Sequence, residues 1–169
     1  MGTLVPMMSR PSKSLHTIGY EGMDIRAFID RLSSAEVQAV VDVRELPLSR
    51  KKGFSKTAFR EVLSQAGIGY FHMPVLGCPK DIRDPYKASR DWEAYTRSFL
   101  AYLGTQEATV RELARLAKAT QACLVCFEAD YAMCHRTYVA RAARKLGGPP
   151  IVHLMARTAQ ADSVFQAAA

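Results

Sequence analysis

The sequence predicts a single three-layer α/β domain, with a mostly parallel sheet of about five strands flanked by helices. Three observations predict it. Short apolar runs alternate with segments whose apolar residues recur at helical spacing, the signature of successive βα units. The run ACLVCF at 122–127 is apolar on both faces, as a central parallel strand must be. The chain has 169 residues, 49% of them apolar, which suits one domain with a substantial core.

HTIGY at 16–20 is the first expected strand. Asp24 is placed to cap a helix carrying Ile25, Phe28, Ile29 and Leu32 on one face. VQAVVDV at 37–43 is the second strand, followed by the basic loop RELPLSRKKGFSK. Ser55 can cap the next helix, and Phe54 and Phe59 stand at the spacing of a hydrophobic staple. GYFHM at 69–73 is the third strand. From Pro74 to about Ser89 the chain is polar and carries three prolines, and it reads as a long lid or binding loop. Helices are expected over about 90–103 and 106–119, then the strand ACLVCF, then a helix from about Tyr131 to Lys145. PIVHL at 150–154 is the last strand. Residues 1–14 read as a loose extension, 15–156 as the domain and 157–169 as a loose tail.

Composition narrows the function classes. No apolar run approaches the ~18 residues of a membrane span. The N-terminal stretch lacks the charged and apolar regions of a signal peptide. Four cysteines, Cys78, Cys123, Cys126 and Cys134, are too few for a disulfide framework and fit free thiols in a reducing cytoplasm. A net charge of +7 favours anionic partners: nucleic acid, nucleotides or acidic metabolites. Neither GxxxxGK[ST] nor GxGxxG is present.

Ligands of parallel sheets bind beyond the carboxyl ends of the strands. CFEADYAMCHR at 126–136 occupies such a place. Glu128 follows the strand ACLVCF, and Asp130 is a candidate helix cap. Counting back from the stripe Val139, Ala143 and Leu146 brings His135 and Arg136 near the buried face, leaning towards the helix start. Glu128, His135 and Arg136 are therefore expected to converge. Three chemistries fit: Glu128 as general acid or base with Arg136 holding an anion; Cys134 as a nucleophile of lowered pKa; or a metal on Cys126, Cys134 and His135, with His72 as a further ligand. The spacing C-x7-C-H matches no recognised zinc pattern, so no metal ligand is assigned and no cofactor is specified. A buried Glu–Arg pair that only ties a loop down also fits. Cys123 and Cys126 point to opposite faces of one strand, so this CxxC reads as two small core residues. At the end of the second strand Asp42 and Arg44 share a face. Ser49, Arg50, Lys51, Lys52 and Lys56 follow around Gly53 and point to a phosphate-bearing ligand. His72 ends the third strand, and His153 lies near the end of the last. The stripe Trp92, Tyr95, Phe99 and Tyr102 reads as packing.

Together TIGYEG at 17–22, VVDVRELPLSR at 40–50, GYFHMPVLG at 69–77, CFEADYAMCHR at 126–136 and IVHL at 151–154 resemble the domain-of-unknown-function 488 family. Cys78 stands where such sequences often have a further glycine. The resemblance implies a compact α/β domain with site residues Asp42, Arg44, Ser49, His72, Glu128, Cys134, His135 and Arg136, and it implies no established reaction.

The expectation is a small cytoplasmic enzyme that hydrolyses, or transfers a group from, a phosphate-bearing nucleotide or nucleic acid. Glu128 is its acid or base, with Asp42, His72, Cys134 and His135 as further catalytic candidates. Arg44 and Arg136 clamp the anion, helped by Ser49 and Arg50. The alternatives are a non-catalytic nucleic-acid-binding module using the loop 44–56, and a thiol or metal site at Cys134 and His135.

Overall fold

The computed structural model describes residues 12–165. Most of the expected N-terminal extension and the last four residues of the expected tail lie outside the described residues. Elements follow in the order β1 (Leu15–Gly19), α1 (Ile25–Ser34), β2 (Ala39–Asp42), α2 (Lys56–Gln65), β3 (Gly69–His72), α3 (Lys80–Ser89), α4 (Trp92–Gly104), α5 (Glu107–Ala119), β4 (Ala122–Cys126), α6 (His135–Lys145), β5 (Ile151–Leu154) and β6 (Ala159–Ala161).

These form one three-layer α/β domain. Among the described residues the sheet has six strands in the order β3-β2-β4-β1-β5-β6, parallel except for β6. Period-two alternation sends neighbouring residues of a strand to opposite layers. Val40 and Val125 join Phe28, Leu32, Phe59 and Leu63 of α1 and α2 on one face. Val41 and Leu124 join Tyr95, Phe99, Leu113 and Val139 of α4, α5 and α6 on the other. Among the described residues no helix is long and apolar enough to cross a membrane.

Ser55 stands at the N-cap of α2 without a side-chain capping bond, whereas two other local signals act as anticipated. Asp24 accepts from the Ala27 N–H at the start of α1, and the Phe54 and Phe59 rings lie 5.7 Å apart. Asp130 caps a short 3-10 turn at Tyr131–Met133, and α6 itself begins after Cys134.

Two segments depart from expectation. The supposed loop after Pro74 contains α3. Pro85 lies inside this helix and would ordinarily argue against one. Its apolar stripe is only Ile82 and Tyr86, and the Tyr86 ring packs 5.5 Å from Trp92 and 5.1 Å from Tyr95 of α4. Part of the supposed loose tail is β6, which pairs with β5 although its three side chains are exposed.

Polar contacts hold that last strand. Asp162 accepts from His153 Nε2 at 2.8 Å and from Arg141 Nε at 3.0 Å. His153 is fully buried; its Nδ1 accepts from the Thr17 hydroxyl at 2.8 Å, and its ring stacks on Tyr131. Burial lowers the His153 pKa and outweighs the pull of Asp162, with Arg136 and Arg141 adding to the fall. A depressed histidine pKa stabilises the fold fully above the unfolded value of about 6.5 and loses that contribution as pH falls through the folded pKa. The melting temperature is therefore expected to drop on acidification from pH 7.5 to 5, measured by scanning calorimetry, with a shallower drop in His153→Gln.

The connections also create the crevice. From β2 the chain leaves through α2 to β3, at one edge. From β4, the neighbour of β2, it leaves through α6 towards β5, on the other side. Loops that diverge from adjacent strands open a hollow at their carboxyl ends.

Candidate functional site

The β2 end is built around a buried ion pair. Arg44 donates from Nε to Asp42 Oδ1 at 2.8 Å and from Nη2 to Oδ2 at 2.7 Å, a bidentate pair with both groups buried. Tyr70 donates its hydroxyl to Asp42 at 2.7 Å, and Arg44 Nη1 donates to the Phe54 carbonyl at 2.7 Å and to the Tyr20 hydroxyl at 3.2 Å. Four of the five Arg44 N–H groups are thus engaged. His72 Nε2 donates to the Arg44 carbonyl at 2.8 Å. Asp42 and His72 therefore hold the strand end in place and do not line the hollow. This corrects their expected catalytic placement.

The β4 end supplies the acidic group. Gly19 allows the approach of the Glu128 loop, because a Cβ there would overlap the Glu128 carbonyl oxygen. Arg136 lies under the same loop, fully buried. It donates to the backbone carbonyls of Glu128 and Ala129 and to Thr17 Oγ1. It clamps main chain and does not line the hollow, unlike the placement expected of an anion clamp. Its lean towards the start of α6 takes the guanidinium to the carbonyls it finds there.

The Glu128 carboxylate faces inward. Its Oε2 lies 3.0 Å from Cys126 Sγ and 3.3 Å from Cys134 Sγ. Burial raises the Glu128 pKa, and the nearby Cys134 sulfur adds to the rise. His135 donates from Nε2 to the Val43 carbonyl at 2.9 Å, which turns Nδ1 towards the sulfurs, 3.8 Å from Cys126 and 4.0 Å from Cys134. Burial alone would raise the Cys134 thiol; interactions with Cys126, His135 and Arg136 outweigh it and bring the pKa well below the ordinary thiol value. Cys126 moves the opposite way, through its interaction with Cys134 and its burial. Of the two thiols, Cys134 is therefore the more acidic.

These groups lie at the closed end of a cavity of about 540 Å³. Arg44, Ser49 and Arg50 of the loop after β2 line one side; Arg83, Tyr86, Lys87 and Arg90 of α3 and its cap, with Trp92, line the other. Exposed Leu46, Leu48, Phe127 and Met133 edge the mouth. Arg83 pairs with Glu45 at 3.1 Å, yet its buried Nε has no hydrogen-bond partner among the described residues.

Of the sequence-predicted site residues, Arg44, Ser49, Arg50, Glu128, Cys134 and His135 meet at this cavity, whereas Asp42, His72 and Arg136 stand behind it. Cys126, set aside as a core residue, faces the cavity; Cys123 is in the core as expected. Arg83, Lys87 and Arg90 were missed. Their spacing of four and three places them along one helical face, a signal hidden while α3 read as a loop. The basic loop divides: Arg50 lines the cavity, Lys51 Nζ donates to the Tyr20 carbonyl, and Lys52 and Lys56 are exposed outside it.

The family model described as "Domain of unknown function DUF488" matches residues 24–143. The chain belongs to the DUF488 family. The match runs from the cap of α1 to Ala143 in α6, so the DUF488 region holds both loops that build the cavity and all of α3. TIGYEG and IVHL lie outside it. No curated protein and no solved structure matched the chain.

Proposed function

We propose that this DUF488 protein is a small enzyme that acts on a phosphate-bearing substrate, of nucleotide type, by hydrolysis or group transfer. One observation carries the reading: a carboxyl group with a raised pKa stands at the closed end of a cavity whose walls carry Arg50, Arg83, Lys87 and Arg90. A half-buried carboxyl shifted towards neutrality is suited to move a proton. The cavity volume is in the range of small-molecule sites, roughly 300–1,000 Å³. Arg83 lines the cavity, and its guanidinium, paired with Glu45 through Nη1, is suited to contact an anion. Arg44 lines the cavity with its charge balanced by Asp42 and its N–H groups on protein partners. Trp92 in the wall and Leu46, Leu48 and Phe127 at the mouth suit a flat apolar moiety such as a base.

Calorimetric titration with nucleoside phosphates, sugar phosphates and their uncharged analogues tests this, beside a turnover screen of the same compounds. A phosphate-bearing compound is expected to bind and to be turned over. Arg83→Ala and Arg90→Ala are each expected to weaken binding about 10- to 100-fold, the worth of one charge-assisted hydrogen bond at roughly 1.5–3 kcal/mol. Binding no tighter than that of the uncharged analogues would sink the proposal. The exposed Lys52 and Lys56 support a second reading, a non-catalytic nucleic-acid-binding module. Oligonucleotide binding that falls steeply with salt and ignores both arginine substitutions would favour it.

A further inference from the structure

We infer that Cys126, Cys134 and His135 form a binding site for one zinc-class divalent cation at the closed end of the cavity, through the two sulfurs and imidazole Nδ1. The inference rests on the proposed reading only for the use made of the ion; binding itself is independent of it.

Geometry comes first. The three donor atoms lie within 4.8 Å of one another. Zinc bonds of ~2.3 Å to sulfur and ~2.0 Å to nitrogen at tetrahedral angles set sulfur–nitrogen edges near 3.6 Å. The Nδ1 atom stands 3.8 and 4.0 Å from the two sulfurs, a few tenths of an ångström longer than those two edges would be around a bound ion. Orientation comes second. The Val43 carbonyl accepts the Nε2 proton of His135 at 2.9 Å and leaves Nδ1 as the nitrogen facing the sulfurs. Metal-ligating histidines are held this way, by a backbone acceptor on the far nitrogen.

Placement comes third. All three residues are buried, yet all line the cavity, so an ion has a route in. Cys123, three residues earlier and on the opposite face of the same strand, shows the contrast: it is fully buried in the core, and its thiol donates to the adjacent Leu124 carbonyl. Chemistry comes fourth. Two thiolates and an imidazole select zinc-class ions over magnesium or calcium, which prefer oxygen. Binding releases the thiol protons and any proton on Nδ1 to solvent. The Glu128 carboxylate lies beside the two sulfurs, at 3.0 and 3.3 Å. Three protein ligands with an open fourth position are the pattern of a catalytic rather than a structural zinc site.

The test uses the full chain, purified without an affinity tag, reduced and stripped with a chelator. Zinc uptake is measured by equilibrium dialysis with elemental analysis, and cobalt(II) is used as a spectroscopic probe. About one zinc per chain is expected, with release of protons. The cobalt form is expected to show a thiolate charge-transfer band and the intense visible bands of a four-coordinate ion. Cys126→Ser and Cys134→Ser should each weaken binding by more than the ~10- to 100-fold lost with an outer-shell partner. Cys123→Ser should leave it unchanged, and circular dichroism checks that each variant is folded. His135→Gln gives a third removal should a serine variant fail to fold. No uptake at micromolar zinc overturns the inference. So do binding that survives all three removals, and a weak octahedral cobalt spectrum. Zinc uptake without turnover of any phosphate-bearing compound would sink the proposed function and leave this site standing. Anion binding without zinc uptake would do the reverse.

Discussion

Asp42→Ala is expected to lower the stability of the protein by about 3–5 kcal/mol, the cost of removing one partner from a buried ion pair. The substitution takes away both acceptors of the bidentate bond and leaves the Arg44 guanidinium, 7% exposed, with its charge uncompensated. Tyr70 loses its hydroxyl acceptor as well. The Tyr20 hydroxyl and the Phe54 carbonyl remain to Arg44, but neither carries a negative charge. For a chain of this length the loss corresponds to a melting temperature lower by roughly 6–20 °C. Scanning calorimetry checks it. Asp42→Ala/Arg44→Met is expected to recover much of the loss, because deleting both charges removes the unpaired one. If Asp42→Ala melts within about 2 °C of the parent, the pair does not hold the β2 end as described.

What the sequence reveals depends on how local each signal is. ACLVCF and VQAVVDV announce their strands because burial on both faces writes an uninterrupted apolar run. Asp24 announces a helix start because one carboxylate serves one nearby N–H. α3 carries no such signal, since Pro85 argues against a helix and its apolar face is two residues wide. β6 is written in small and polar residues, and its attachment depends on His153 and Arg141, both from other elements.

The site divides in the same way. Helical spacing shows that Arg136 is buried, but not that the Glu128 and Ala129 carbonyls occupy its guanidinium. Strand alternation separates Cys126 from Cys123 correctly. It cannot show that Cys134, eight residues on and in another element, supplies the neighbour that Cys123 lacks. The convergence of Glu128 with Arg44 and Arg50 was legible because all three sit at the carboxyl ends of neighbouring parallel strands, where topology alone brings loops together.

Glu128→Gln is expected to reduce turnover of a bound phosphate-bearing substrate about 10²- to 10⁴-fold, the usual contribution of one general acid or base. Binding should change little, since the proposed anion contacts are Arg50, Arg83, Lys87 and Arg90, which line the cavity walls. The fold should also survive. Arg136 holds the backbone carbonyl of residue 128 and not its side chain, and a glutamine oxygen can still accept from the Cys126 thiol. The substitution therefore removes the ionisable proton and leaves the architecture. Burial and the Cys134 sulfur raise the Glu128 pKa above the ordinary carboxyl value of about 4.3. A group acting as base must be ionised, so the parent rate should fall as pH drops through that raised value. In Glu128→Gln the residual rate should lack this acid limb. Steady-state rates from pH 4.5 to 8, with calorimetric affinities for the same ligand, separate the effects. An unchanged rate, or an acid limb that persists in Glu128→Gln, assigns the proton to another group. A fall in affinity matching the fall in rate would instead make Glu128 a binding residue.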